Sequence, residues 1–421
     1  MLNKFAYGDA CLDVEIPEHN VAACLKSAEA ASDGSNRDII RQALENPCGS
    51  SRISAIVKAK SAQSAVIVVN DITRPTPYKY ILPPLLKEIE AAGIVRQNIK
   101  MVVALGIHRP HSEAENKAIF GEGICSRYTI QNHDCDNNLA SIGQLSNGME
   151  LIINRTVAEA DLLITTGVVG LHYFAGYSGG RKSILPGVAA RPVIEKNHQM
   201  MSDPRACLGN YENNPVSDLM LEAARLAGVD FILNVVTAGK DKIAFAAAGD
   251  VYQAWLAAVQ YCEKMSVVTI PEPADIVIAS CGGYPKDINM YQAQKALEAA
   301  SPAVKEGGTI LLLAECREGL GEASFARWLN DAASPKDIEQ RFFNSFELGG
   351  HKAYALCRTL RRADVLLYSA LADETVRKMF ITPIHDLQTA VDQLRLKYGS
   401  RARMVLMPEA PRIAVKVRPF E

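Results

Sequence analysis

The sequence has almost no excess of charge of either sign: 45 Lys and Arg stand against 47 Asp and Glu, a formal net charge of −2. It has no long basic run and no basic stripe interleaved with aromatics, the features that track a phosphate backbone, which argues against nucleic acid as a partner. No stretch approaches the roughly 18 apolar residues that a membrane helix needs, and the N-terminus lacks the apolar core of a secretory signal. These absences lead to the expectation of a cytoplasmic chain with no membrane partner. Ten cysteines are present, but none forms a CxxC pair or another zinc-ribbon spacing, so reduced and mostly buried thiols are expected. Neither the Walker A spacing GxxxxGK[ST] nor the dinucleotide turn GxGxxG occurs, which argues against a P-loop enzyme and an ordinary NAD-dependent oxidoreductase.

What is present is enough apolar material, 48% of 421 residues, for two ordinary cores. The β-branched run at 64–70 precedes a helical pattern at 78–92. The same grammar returns at 99–105 before 112–120, and at 161–166 before a Gly-rich loop. Residues 231–250 read as a hairpin and 251–264 as a helix. After the Pro-containing PEPAD at 271–275, strand-like 275–280, helix-like 290–306 and strand-like 308–314 and 364–369 resume the alternation. This predicts an α/β fold of two Rossmann-like domains with mainly parallel sheets. The expected division is 1–270 and 271–404, with the closing segment 405–421 able to pair with either domain.

Ligands of open α/β sheets bind beyond the carboxyl ends of the strands, so the polar residues just after each apolar run are the first candidates. Arg74, flanked by prolines in NDITRPTP, offers a rigid fork for a carboxylate, although an arginine near a turn is also commonly a surface ion pair. His108 and His172 follow different strands and can each exchange a proton near neutrality; taken singly, each is as readily a structural histidine. The segment 170–187, GLHYFAGYSGGRKSILPG, holds five glycines and a basic pair, and reads as an anion loop or a plain connection. His198 alone is a poor metal site unless a cofactor brings further donors. Beyond the boundary, Tyr291, Gln292 and Lys295 share a helix by i,i+3 and i,i+4 spacing and offer a phenol, an amide and an ammonium, or else form a solvated face.

NDITRPTP at 70–77, GIHRPHSEAE at 106–115, HYFAGYSGGRKSILPG at 172–187, the Asn197-His198 pair and GGYPKDINMYQAQKAL at 282–297 together resemble the signature segments of the nickel-pincer lactate racemase family, in order and over nearly the whole chain. The resemblance implies a two-domain α/β enzyme with its active-site cleft between the domains. It implies a racemase or epimerase that inverts the hydroxyl-bearing carbon of a small 2-hydroxy acid by reversible hydride transfer. The implied cofactor is nickel held in a pyridinium-3,5-dithiocarboxylate-type mononucleotide. By position, Lys182 carries that cofactor through a thioamide and His198 supplies the remaining nickel ligand. His108 and His172 are the paired catalytic bases, Arg74 the carboxylate clamp, and Tyr291, Gln292 and Lys295 substrate contacts. Asp71, Thr73, Ser178, Gly179, Gly180 and Pro186 are cofactor contacts. Implied partners are the 2-hydroxy acid and the cofactor-synthesis proteins, and the reading is compatible with a homo-oligomer.

One departure bears on the substrate. Lactate-specific members carry a tryptophan in the second domain, whereas Trp255 and Trp328 lie elsewhere in the pattern. The corresponding stretch here is FELGGHK at 346–352, and its His351 and Lys352 suggest contacts to an acid longer or more polar than lactate. The alternatives are lactate racemase proper and a protein that binds the nickel nucleotide without turnover.

Overall fold

The computed structural model describes residues 2–28, 34–239 and 241–418, which form two compact units. One unit comprises Glu29–Met265; the other joins Met1–Ala28 to Ser266–Glu421. The mainly parallel α/β architecture is as expected. The division differs from the expected 1–270 and 271–404 in its assignment of the N-terminus. Residues 21–24 extend the second unit's sheet through Met404–Met407, and Phe5 and Val14 of the hairpin Leu2–Tyr7/Ala10–Glu15 enter that unit's core. The closing strand Ala414–Val417 stays with the same unit, pairing in parallel with Val267–Ile270.

In the Glu29–Met265 unit the strand order is Ile243–Gly249, Phe231–Thr237, Leu162–Val168, Ala65–Asn70, Ile99–Ala104, Thr129–Asn132. All neighbours run parallel except the Phe231–Thr237/Ile243–Gly249 hairpin. The near-continuous apolar strands are the pattern of a sheet covered on both faces. Ile67, Val69, Ile164 and Leu233 pack with Ile81, Leu82, Leu85 and Ile89 of the helix Tyr78–Ala91.

The chain starts this sheet at Ala65–Asn70, builds outward on one side, then returns to the other side with Leu162–Val168. The order therefore reverses between these two strands, and a crevice opens beyond their carboxyl ends. Tyr78 bridges that seam: its hydroxyl accepts from the Asn70 N–H and donates to Thr166 Oγ1 at 3.1 Å, while Thr166 donates to Val68 O at 2.9 Å.

The other unit has six parallel strands in the order Thr382–Ile384, Ala363–Tyr368, Val304–Leu313, Ala274–Ser280, Met404–Met407, Val21–Cys24. Leu387, Val391 and Leu394 of one helix cover Ile276, Ile278, Leu311 and Leu313. Among the described residues no helix is long and apolar enough to cross a membrane.

Candidate active site

The sheet order of the Glu29–Met265 unit decides which loops meet. The loop after Ala65–Asn70, which carries Asp71 and Arg74, lies between the loop after Ile99–Ala104, which carries His108, and the one after Leu162–Val168, which leads to His172. Two hydrogen bonds tie these loops together. Ile72 N–H donates to Nε2 of His111 at 3.0 Å, and Gly106 N–H donates to Gly187 O at 2.9 Å.

Asp71 and Thr73, expected to orient a nucleotide, are engaged locally. Thr73 Oγ1 donates to Asp71 Oδ1 at 2.8 Å, and His108 Nδ1 lies 2.6 Å from Asp71 Oδ2. Burial would raise the Asp71 carboxyl, but the hydrogen bonds from His108 and Thr73 outweigh it and hold the group below its ordinary value. Asp71 is thus an ionised acceptor, His108 donates from Nδ1, and Nε2 of this half-exposed ring remains as the basic nitrogen. Arg74 is exposed, and among the described residues no carboxylate forms an ion pair with it. A guanidinium left open at the head of the crevice suits an incoming carboxylate.

His172 carries its proton differently. Its Nδ1 accepts from the Ala175 N–H at 3.2 Å, and its Nε2 lies 2.9 Å from Nζ of Lys182. Burial, with the charges of Arg74 and Arg181 added, pushes the Lys182 ammonium well below its ordinary value.

Phe174, 1% exposed, connects the group. Its ring packs edge-on to His172 at 4.6 Å and to His198 at 5.0 Å between centroids, and Nζ of Lys182 sits 5.5 Å from its centre. His198 lies on the helix Arg191–Gln199 and donates from Nδ1 to Ile194 O at 2.9 Å, one turn back. That bond fixes the tautomer that leaves Nε2 with the lone pair, the usual arrangement of a metal-binding histidine. Burial above all holds the ring neutral, its value pushed down to about 3.

In the Gly-rich segment, read from sequence as an anion loop or a plain connection, several polar groups are engaged within the fold. The Ser178 N–H donates to Gly170 O, the Gly180 N–H donates to Oδ1 of Asn234 at 2.8 Å, and Ser178 Oγ donates to Val168 O at 2.7 Å. The glycines serve close packing instead. A Cβ at Gly179, where φ is +126°, would lie 2.6 Å from the Trp255 ring, and one at Gly180 would lie 2.9 Å from Thr165 Oγ1. Arg181 is fully buried, its guanidinium 3.8 Å from the centre of the Trp255 ring, with Ser217 Oγ as its nearest acceptor at 2.9 Å. Trp255 also donates to Ser178 O at 2.8 Å. This packing presents Lys182 inward. Pro186 opens the turn whose next residue, Gly187, accepts from Gly106.

The residues fit a metal that arrives with its own donors. Among the described residues only Asp134, Cys135 and Asp136 are grouped closely enough to hold an ion unaided, and there Arg191 already engages Asp136. His198 alone offers one nitrogen, beside an amine able to anchor a cofactor. Asn197, next to it, is fully buried with neither side-chain polar atom paired, the mark of a polar group that a ligand would satisfy.

In the other unit, Tyr291, Gln292 and Lys295 occupy the first turns of the helix Met290–Ala300, capped by Asn289, and Lys295 Nζ donates to Gln292 Oε1 at 2.7 Å. His351 and Lys352, expected to face a longer acid, are 6% and 4% exposed. His351 Nδ1 accepts from the Gly349 N–H at 3.0 Å, and Lys352 Nζ donates to Tyr291 O at 2.5 Å while lying 4.1 Å from the Tyr291 ring centre. Trp328, distant in sequence from that stretch, packs directly against Gly350 and donates to Glu347 Oε2 at 2.9 Å.

Sequence reasoning did not single out His111, Phe174, Arg181, Asn234 or Trp255. His111 and Phe174 lie inside the quoted motifs and were within reach; Asn234 and Trp255 gave no local signal.

Comparison with known proteins places the chain in a family. The profile of the lactate racemase N-terminal domain matches residues 7–209, and that of the lactate racemase C-terminal domain matches residues 269–415. The chain is 36% identical to a lactate racemase of Thermoanaerobacterium thermosaccharolyticum, over 98% of this chain and 99% of that one. It is 34% identical to a lactate racemase of Lactiplantibacillus plantarum, over 97% and 98%. The lactate racemase apoprotein structure from T. thermosaccharolyticum superposes with a TM-score of 0.91 at 35% identity, covering 99% of this chain and 100% of that chain. A Thermotoga maritima protein, 17% identical, shares the fold with a TM-score of 0.63 over 94% of this chain and 100% of that one.

Proposed function

Because the chain belongs to the lactate racemase family, and so to the isomerases, we propose that it inverts the hydroxyl-bearing carbon of a 2-hydroxy acid through a hydride route. One observation carries this reading beyond the family name: two histidines with opposite proton arrangements flank the loop of an arginine that has no ion pair among the described residues. Inversion needs a base to take the hydroxyl proton and an acid to return it, and the two roles exchange with the direction of turnover.

In this reading Arg74 binds the substrate carboxylate through two parallel bonds and fixes which carbon faces the reacting group. His108, oriented by Asp71 through Nδ1, takes the hydroxyl proton at Nε2. His172 returns a proton after the planar 2-keto acid has turned over. Arg74 holds the carboxylate throughout and limits escape of the keto acid. Lys182 and His198 Nε2 would hold a nickel-bearing pyridinium-type nucleotide, which would supply a reversible hydride acceptor. Direct loss of the carbinol hydrogen as a proton would put a carbanion beside a carboxylate, a costly arrangement without an electron sink.

The departure at 346–352 favours a longer or more polar 2-hydroxy acid, with lactate itself as the alternative. The test is the full chain co-expressed with cofactor-synthesis enzymes and given one enantiomer of lactate or of longer 2-hydroxy acids, with the products resolved by chiral chromatography. Conversion of one enantiomer to a mixture supports the proposal. A protein loaded with nickel and a Lys182-linked mass that racemises none of them would favour the binding protein without turnover.

A further inference from the structure

We propose that Lys182 and His172 form a pair whose bond is exchanged on cofactor attachment: the free amine accepts the Nε2–H of His172, and acylation of that amine releases it. The release half rests on the reading of Lys182 as the attachment site; the bond itself does not.

The argument begins at Ala175. Its backbone N–H can only donate, so Nδ1 of His172, 3.2 Å away, carries the lone pair. A neutral ring then has its proton on Nε2, the atom 2.9 Å from Nζ of Lys182. Two donors cannot share that contact, so Nζ is the acceptor. An ammonium has no lone pair to accept with, and Lys182 is therefore an unprotonated amine. The enclosed, cation-lined surroundings of Nζ favour the same state. Tyr173 and Phe174 hold the imidazole at this angle, stacked at 5.3 Å and edge-on at 4.6 Å.

A free amine is also the nucleophilic form of lysine. Its condensation with a thiocarboxylic acid forms a C–N bond and breaks the C–O bond. The oxygen leaves as water with one amine proton and the acid proton, sulfur stays on carbon as a thioamide, and nothing is oxidised or reduced. The nitrogen that remains has a single N–H, and its lone pair is delocalised into the thiocarbonyl. It can donate but no longer accept. Two N–H groups would then face each other, so His172 must give up Lys182 and present Nε2–H elsewhere, to a substrate oxygen. His172 becomes available as an acid only in the loaded chain.

The test needs no turnover. Full-length protein with isotope-labelled histidine, made without the cofactor-synthesis enzymes, is examined by long-range proton–nitrogen spectroscopy, with His172 identified by the signal lost in His172→Gln. The expected result is an unprotonated Nδ1 and a slowly exchanging proton on Nε2, which loses its protection in Lys182→Met and in cofactor-loaded protein. A proton on Nδ1 of the unsubstituted protein overturns the proposal even where Lys182→Met fails to fold. Equal protection of the Nε2 proton in the loaded protein also overturns it. Absence of a Lys182-linked mass after co-expression would instead count against the functional reading, because the tautomer and the Lys182→Met comparison require no cofactor.

Discussion

Asp71 Oδ2 lies 2.6 Å from Nδ1 of His108, and the carboxylate is buried while the imidazole is half exposed. The short bond fixes the tautomer and orients the ring so that Nε2 carries the lone pair. Asp71→Asn keeps an acceptor but removes the charge, and kcat should fall about 10- to 100-fold with a smaller change in KM, less than the roughly 10²- to 10⁴-fold ascribed to a general base. Steady-state kinetics of the loaded enzyme checks this, and an unchanged kcat would remove Asp71 from the mechanism. The pair also has a pH signature. The Asp71 carboxyl is depressed in the folded state, so its stabilisation is complete above the unfolded value of about 4 and is lost as pH falls through the folded value. The gap in urea midpoint between the unsubstituted protein and Asp71→Asn should therefore shrink as pH drops below about 4.

Arg74 is exposed and forms no ion pair among the described residues, so removing it should cost the fold little. Arg74→Lys should stay within about 0.5 kcal/mol of the unsubstituted protein in urea unfolding. It should nevertheless raise KM for 2-hydroxy acids about tenfold or more, because an ammonium cannot reproduce two parallel bonds to a carboxylate. A KM that does not move would show that the carboxylate is held elsewhere.

His198 and Lys182 make separable contributions to loading. His198→Ala removes the imidazole nitrogen but not the amine, so the Lys182-linked mass should persist while retained nickel falls at least about tenfold on dialysis, the size of effect expected when a metal site loses a supporting group. Lys182→Ala should lose both. Intact mass and metal analysis on the same samples decide the matter, and full nickel retention in His198→Ala would end its assignment as a ligand.

The fold was legible because its strands are short apolar runs separated by helical patterns, and the structure has strands at 65–70, 99–104, 162–168, 274–280 and 304–313. The candidate residues were legible as polar groups just beyond those runs. What local pattern could not carry was long-range assignment. Residues 21–24 join a sheet whose neighbouring strand is Met404–Met407, and no periodicity in the first 28 residues encodes that partner. Nor does any local pattern encode the bond from Lys352 to the Tyr291 carbonyl, which is remote in sequence; a long side chain can bury its stem and spend its head on a backbone oxygen. Trp328 appeared misplaced in sequence and lies against Gly350 in space.

The support beneath Lys182 gives the last prediction. Arg181 is buried without a carboxylate ion pair among the described residues, and its Nε is unpaired, so the Trp255 face 3.8 Å from its guanidinium is a principal compensation for lost water. Burial pushes the Arg181 guanidinium down to about 9, opposed by the charge of Asp218. A lysine here would shed its proton more readily and cannot stack as a plane. Arg181→Lys should destabilise the chain by about 1–3 kcal/mol. Trp255→Leu should cost about 3–5 kcal/mol, since it also removes the donor to Ser178 O. If stacking carries the site, the double variant should cost less than the sum by about 1–2 kcal/mol. Urea unfolding of the four proteins measures that coupling directly. Strict additivity would mean that the ring merely fills space, and that Lys182 is positioned by the glycine packing at 179–180 alone.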